Sequence, residues 1–195
     1  MTRHVAIIQG HPDPSEKHFG HALMDAYAQG AAEAGHEIKH IKVAELDFPL
    51  LRTKEDWEID TPLPVIRHCQ EAIAWADHLV IVYPLWLGTM PAVFKAFLEQ
   101  VLRPGFAIGK AGSGKMGEKL LTGRSARIVV TMGMPTFFYR WYFHSHSLKN
   151  LERNILAFCG IGPIKTSLVG MIEGQDDSVR EKWLEKMRTL GREGR

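Results

Sequence analysis

The chain has 195 residues, 45% hydrophobic and 24% charged, proportions that fit one globular domain over residues 1–195 and exclude fibrous, disordered and membrane-embedded classes. Its 24 Lys and Arg against 22 Asp and Glu leave a net charge of +2 with the signs interspersed, so neither nucleic acid nor an anionic membrane is an expected partner. Cys69 and Cys159 sit inside helical patterns and form no disulfide framework, Val5-Ala6-Ile7-Ile8 begins too early to leave room for a signal peptide, and no apolar run has membrane-spanning length. The expectation is a cytoplasmic protein with reduced, buried thiols and no metal site.

Arg3 to Gln9 reads as a first strand. The stretch from Gly10 to His18 follows as a loop rich in turn residues and in hydrogen-bonding groups. A helix over Phe19 to Ala34 places Phe19, Leu23, Ala26 and Tyr27 on one side and stops at Gly35. Glu37 to Val43 alternates Ile38 and Ile41 among polar residues, the pattern of an edge strand. Residues 45–61, with Asp47-Phe48-Pro49-Leu50-Leu51 and Trp57, read as an irregular excursion that packs its apolar residues locally. A second helix spans Leu63 to Ala76.

Leu79-Val80-Ile81-Val82-Tyr83 is apolar, largely β-branched and too short for a helix, which predicts a strand buried on both faces and ended by Pro84. From Pro91 a helix carries Phe94, Phe97 and Val101 as one stripe. Between them Leu85-Trp86-Leu87-Gly88-Thr89-Met90 is a connection with an apolar, aromatic composition. Loops normally lie on the surface, so this one should cover something flat. Arg103 to Gly123 shows no periodicity and reads as a long functional or mobile loop. Ser125 to Thr131 is a further strand, Phe137 to Phe143 an aromatic run, and Leu148, Leu151, Ile155 and Phe158 mark a helix ending at Gly160. A strand over Ile164 to Val169 and a helix over Ser178 to Leu190, with Val179, Trp183 and Met187 inward, complete the chain.

Five strands alternating with five helices predict a doubly wound α/β fold with a parallel sheet, of the flavodoxin-like order 2-1-3-4-5. The switch point lies between strands one and three, where residues 11–18 meet residues 84–90. The first of these loops feeds a helix N-terminus, which favours an anion. It has neither GxGxxG nor GxxxxGK[ST], and offers instead His11, Ser15, Lys17 and His18 as phosphate donors. The loop Thr131-Met132-Gly133-Met134-Pro135 leaves the neighbouring strand, and Gly133 allows close backbone approach to a ligand. A flat ring between Pro84–Gly88 and Thr131–Gly133, with its phosphate tail on the first helix, describes a flavin.

HPDPSEKHFGHAL (11–23), YPLWLGTMPAVFKAFLEQVL (83–102), PGFAIG (104–109), TMGMPTFFYR (131–140) and AFCGI (157–161) resemble the flavodoxin-like NAD(P)H:quinone oxidoreductases. That family includes mammalian-type quinone reductases, bacterial modulator-of-drug-activity proteins and ancillary subunits of glutathione-gated potassium efflux systems. The resemblance covers nearly the whole chain, most specifically at PLWxGxxPAxxK (84–95). It implies that His11 and His18-Phe19 contact the flavin phosphates, that Pro84, Leu85, Trp86, Leu87 and Gly88 lie along the isoalloxazine, and that the backbone of Thr131, Met132 and Gly133 touches its edge. Tyr139 and His144 follow the family's tyrosine and histidine as donors to the acceptor oxygen, with Phe138 an alternative match for the tyrosine. Glu99 and Arg180 match positions that reach the adenosine half of FAD and read equally as helix-surface charges, so FAD and FMN both stand. The chain departs from the family at Gly20, where asparagine is usual, and at Met132-Gly133-Met134, where threonine-glycine-glycine is usual.

The leading expectation is a two-electron reductase that passes hydride from NAD(P)H through the flavin to a quinone-like acceptor. Its alternatives are a flavin-binding regulatory subunit with a transporter partner and a one-electron carrier of flavodoxin type, which the net charge of +2 disfavours. Six aromatics within Phe137 to Phe143 exceed what one connection can bury, which predicts a homodimer sharing the active site and ping-pong kinetics.

Overall fold

The computed structural model describes residues 2–15, 17–58, 62–110 and 117–195. In chain order the elements are β1 (His4–Gln9), α1 (Phe19–Glu33), β2 (Glu37–Lys42), the short α2 (Lys54–Glu58), α3 (Pro64–Trp75), β3 (His78–Pro84), α4 (Ala92–Val101), β4 (Ser125–Thr131), α5 (Thr136–Trp141), α6 (His146–Lys149), α7 (Ala157–Cys159), β5 (Ile164–Val169) and α8 (Asp177–Arg192). A π-helical stretch, Asn150–Leu156, joins α6 to α7. The strands form one parallel sheet in the order β2-β1-β3-β4-β5, as the alternation of strands and helices predicts.

The period-two alternation of side chains divides the core between the two sheet faces. On β3, Leu79, Ile81 and Tyr83 pack with Ile73 of α3 and with Phe94 and Phe97 of α4. Val80 and Val82 face Leu23 and Tyr27 of α1 and Met187 of α8. Every residue of β3 is buried, so the continuous apolar run was the right signature for a central strand. Pro84 is its last residue rather than a stop beyond it. It pairs with Thr131, and the ladder bond it cannot donate comes from Leu85 N–H to Thr131 O at 2.8 Å. Opposite, α1 and α8 touch through glycines: a Cβ on Gly30 would stand 1.9 Å from Arg188 O, and one on Gly191 2.1 Å from Tyr27 O.

Three expectations need correction. The buried face of the helix after residue 146 reads Leu148, Leu151, Leu156, Cys159, not Leu148, Leu151, Ile155, Phe158. The spacing of five between Leu151 and Leu156 is that of the π-helical stretch, whose i→i+5 bonding inserts one residue and resets the phase. Phe158 is thereby turned outward to 55% exposure, where it lines a groove of about 530 Å³ with Trp57 and Leu98. Residues 45–58 are not self-contained. Phe48 packs on Phe97 at 6.2 Å between ring centroids, Gln100 Nε2 donates to Pro49 O at 2.6 Å, and Arg103 donates to Asp56 O at 2.6 Å. Residues 59–61 of that excursion lie outside the described residues. The stretch from Arg103 to Gly123 is folded back on itself where it is described: Gly109 N–H donates to Glu118 O and Leu120 N–H to Ala107 O, burying Ala107 and Leu121. Residues 111–116 lie outside the described residues.

At the N-terminal end of β3 His78 is buried, with Nδ1 2.7 Å from Ser125 Oγ and Nε2 without a partner among the described residues. Burial, and then Arg3, Arg127 and Lys165, push its pKa down to about 4. Between that value and the ordinary 6.5 the unfolded chain binds a proton that the native state refuses. Stability should therefore fall as pH drops from about 6.5 towards 4, by about 3 kcal/mol for this group. Urea unfolding across that window should show the loss, and His78→Asn should reduce it; an unchanged slope in the variant would assign the acid sensitivity elsewhere.

Candidate functional site

The loops at the carboxyl ends of β1, β3, β4 and β5 are held together by main-chain bonds. Gly10 N–H donates to Val82 O at 2.7 Å, Leu85 N–H to Thr131 O, and Met132 N–H to Val169 O at 2.9 Å. Gly10 lies flat on Phe94, whose ring atoms would be 2.7 Å from a Cβ at that position, so the turn out of β1 has no room for a side chain. The result is one rigid edge at the switch point, the place where ligands of such sheets bind.

Ahead of α1 three imidazoles cluster. His11 and His18 stack at 4.0 Å, and His21 stands edge-on to both at 5.2 and 5.5 Å. His11 is almost buried and is edge-on to Trp86 at 6.0 Å. Its Nδ1 is held against the Asp13 main chain, 3.1 Å from N–H and 3.3 Å from the carbonyl oxygen. Burial, then the neighbouring His18 and His21, hold the His11 pKa below its ordinary value; burial and then His18 do the same for His21. His18 Nε2 lies 2.6 Å from Asp13 Oδ2, and that contact, with the Ser15 N–H bond next, keeps Asp13 well below the usual carboxylate range. Lys17 is exposed at the rim. The structure thus brings His11 and His18 together with Phe19 at the start of the helix, and adds His21 and Asp13. The sequence carried a signal for His21, since its spacing of three from His18 puts both on one helix face.

Beyond β3, Trp86 N–H donates to Thr89 O at 2.8 Å and Thr89 N–H to Trp86 O at 3.0 Å, closing a two-residue turn. Leu87 and Gly88 at its centre have φ of +48° and +76°, the pair of left-handed residues of a type I′ turn. Glycine accepts this conformation and leucine does so only at a cost. The turn lifts Leu87 completely into solvent and leaves Trp86 half exposed. Against Gly88 stands Phe143, whose ring would lie 3.3 Å from a Cβ there. Phe143 continues into the aromatic run, where Phe137, Phe138, Trp141 and Tyr142 are exposed and Phe138 stacks on Tyr142 at 5.1 Å. Together they form a floor and a wall of rings beside the imidazole cluster. Thr131 and Met132 are buried under the third loop, and Gly133 is exposed, close to the Glu173 carboxylate.

The two donor candidates separate. His144 is exposed, with a left-handed φ of +49°. Tyr139 is fully buried, which takes its hydroxyl away from an acceptor at the surface, and that hydroxyl accepts from Leu148 N–H at 3.2 Å, tying α5 to α6. Of the two positions matched to adenosine contacts, Arg180 lies over the Phe19 ring and donates to Ile172 O, in the α1–α8 layer. Glu99 pairs with Lys95 on α4, in the opposite layer. Among the described residues no group of three or more His, Cys, Asp or Glu is placed to hold a metal ion, and no helix is long and apolar enough to cross a membrane.

At the switch point of this doubly wound parallel sheet, three clustered histidines stand beside a row of exposed aromatic rings. The family description "flavodoxin-like fold" matches residues 3–190, and the chain belongs to that family. It is 29% identical over 183 residues to an uncharacterized NAD(P)H oxidoreductase of Haemophilus influenzae, covering 92% of this chain and 89% of that one. To the glutathione-regulated potassium-efflux system ancillary protein KefG of Serratia proteamaculans it is 28% identical over 138 residues, 70% of this chain and 62% of that one. Among solved structures, the NAD(P)H:quinone oxidoreductase from Methanothermobacter marburgensis superposes with a TM-score of 0.81 at 25% identity, covering 98% of this chain and 96% of that one.

Proposed function

We propose that the chain is a flavin-dependent reductase that passes two electrons from NAD(P)H to a flat, quinone-like acceptor. The observation that carries this reading is the meeting, on one rigid sheet edge, of the imidazole cradle ahead of α1 and the exposed Trp86–Thr89 turn, with Phe143 against Gly88. The residues fit the group: the buried, unpartnered nitrogens of His21 mark a missing acceptor in the cradle, and the half-exposed ring of Trp86 stands edge-on to His11 beside it. Bound flavin would supply the hydride chemistry, for a net reaction in which NAD(P)H, a proton and a quinone give NAD(P)⁺ and the hydroquinone.

The chain's own residues bind, orient and protonate. His11, His18 and Lys17 take the phosphate tail. The main chain of Pro84, Leu85, Trp86, Leu87 and Gly88 lines one ring face, and the Thr131-Met132-Gly133 backbone its edge. His144 meets the acceptor oxygen as the charge on it develops, and Tyr139 fixes the turn that carries His144. One flat molecule fits between floor and wall at a time, so the oxidised nicotinamide must leave before the acceptor enters. The exposed rings of α5, with Glu99 and Arg180 on opposite layers of one chain, support a homodimer that completes the site from its second copy. The KefG relative favours a second reading, in which the same flavin domain serves a transporter.

The test joins three measurements on the purified protein: chromatography of heat-released flavin against FMN and FAD, sedimentation at micromolar concentration, and initial rates against NAD(P)H at several menadione levels. Bound flavin, a dimer and parallel double-reciprocal lines are expected. A protein that takes up neither flavin removes the reading, and intersecting lines remove the shared pocket.

A further inference from the structure

The cradle ahead of α1 spends its donors on the chain itself. Ser15 N–H donates to Asp13 Oδ1 at 2.9 Å, the Ser15 hydroxyl to Asp13 Oδ2 at 3.1 Å, and His18 Nε2 lies 2.6 Å from that second oxygen. Each of these groups has one proton to give in that direction, and all three give it to one carboxylate. Behind them His21 is 3% exposed, edge-on to His11 and His18, and neither of its ring nitrogens has a hydrogen-bond partner among the described residues. A buried imidazole without a partner is costly. The cluster is short of an acceptor on its inner side while its outer donors are saturated.

Resting on the flavin reading above, we infer that Asp13 is an internal stand-in for the ligand's phosphate, holding the cradle assembled in the ligand-free chain and yielding its three donors only to a stronger anion. Donor count forces the exchange, because a phosphate seated on Ser15 and His18 uses the same three protons. The Asp13 side chain is 47% exposed and that of His18 38% exposed, so the carboxylate can swing into water with little desolvation to reverse. The FMN phosphate brings a charge of about −1.5 to −2 and three acceptor oxygens, and the FAD pyrophosphate a comparable charge spread over two phosphorus centres, against one charge and two oxygens on the carboxylate. A phosphorylated flavin can displace Asp13, and riboflavin, which brings no anion, cannot. Asp13 thus makes retention depend on the phosphate and sets selectivity for FMN or FAD over the unphosphorylated flavin.

The experiment titrates ligand-free wild type, Asp13→Asn and Asp13→Ala with FMN, FAD and riboflavin, read by quenching of flavin fluorescence. Both variants should bind FMN and FAD roughly tenfold tighter, the scale of one charge-assisted hydrogen bond released to the ligand. Riboflavin affinity should change by less than about twofold on that scale. Equal or weaker FMN binding in the variants overturns the inference, the weaker result being that of an Asp13 which serves the phosphate by orienting the His18 ring. Tightening that extends equally to riboflavin overturns it too, since the gain is then not at the phosphate. If wild type binds no flavin, the reductase reading fails; inorganic phosphate followed by the His18 ring signals in NMR then still decides the role of Asp13. Half-saturation at lower phosphate in the variants supports the stand-in, and an unchanged value removes it. Asp13→Asn keeps the side-chain size, so a poorly folded Asp13→Ala does not stall the comparison.

Discussion

Replacing Gly191 with alanine is expected to destabilise the protein by about 3 kcal/mol, against the helix propensity of the two residues. In a helix interior alanine is favoured over glycine by about 1 kcal/mol. Here the added methyl carbon would stand 2.1 Å from Tyr27 O and 2.8 Å from Ala31 N. Both are main-chain atoms of α1, which no rotamer change can move aside. The helices must separate instead, withdrawing Met187 and Leu190 from Leu23 and Tyr27, with which they form one core cluster. Gly30 meets α8 in the same way, so its replacement should act alike. Gly174→Ala is the control, because its methyl would meet only ordinary contacts at 3.9 Å, and it should shift stability by no more than about 0.5 kcal/mol. Urea unfolding of the three proteins separates the effects; a Gly191→Ala variant as stable as wild type would mean that α1 and α8 part without loss.

Removing His11 and Lys17 together should weaken FMN binding by about 3 kcal/mol, roughly a hundredfold. Most of the effect belongs to His11. Its Nδ1 is engaged by the Asp13 main chain, and its ring is pinned between His18 and Trp86. A fixed neutral donor to a phosphate is worth about 1.5–3 kcal/mol. Lys17, exposed at the rim, adds the about 1 kcal/mol or less of a solvated ion pair. Because both losses fall on the phosphate tail, riboflavin affinity should stay close to that of wild type. Equilibrium dialysis of the double variant with FMN reads the result, and full retention of flavin would show that the phosphate is held elsewhere.

Much of this architecture was legible in the sequence because it is written locally. The unbroken apolar run from Leu79 to Tyr83 identifies a strand covered on both faces, and the Phe94, Phe97, Val101 stripe gives the helix that covers it. The switch-point loops follow from the strand order, and the structure brings them to one edge of the sheet. What the sequence hid depends on atoms brought together from distant positions. The contact of Gly30 with Arg188 exists only once two helices cross. The phase shift between Leu151 and Leu156 is invisible to a count that assumes one helical period throughout. Tyr139 is matched as a donor by the family's tyrosine at that position, yet within α5 it is the residue directed into the core. Leu87 reads as an ordinary apolar residue until its left-handed φ and full exposure show that the turn was built to hold it out.

The attachments of Gln100 and Arg103 to the excursion after β2 bear on how this protein can change over generations. Both end on main-chain carbonyls, those of Pro49 and Asp56. A carbonyl is present whatever side chain its residue carries, so these two bonds place no demand on what those positions are. The excursion can exchange Leu51, Trp57 and their neighbours, rewriting one side of the groove beside α4, while the chain that bears them stays fastened at the same two points. Recognition on that side can drift without the scaffold having to be reinvented.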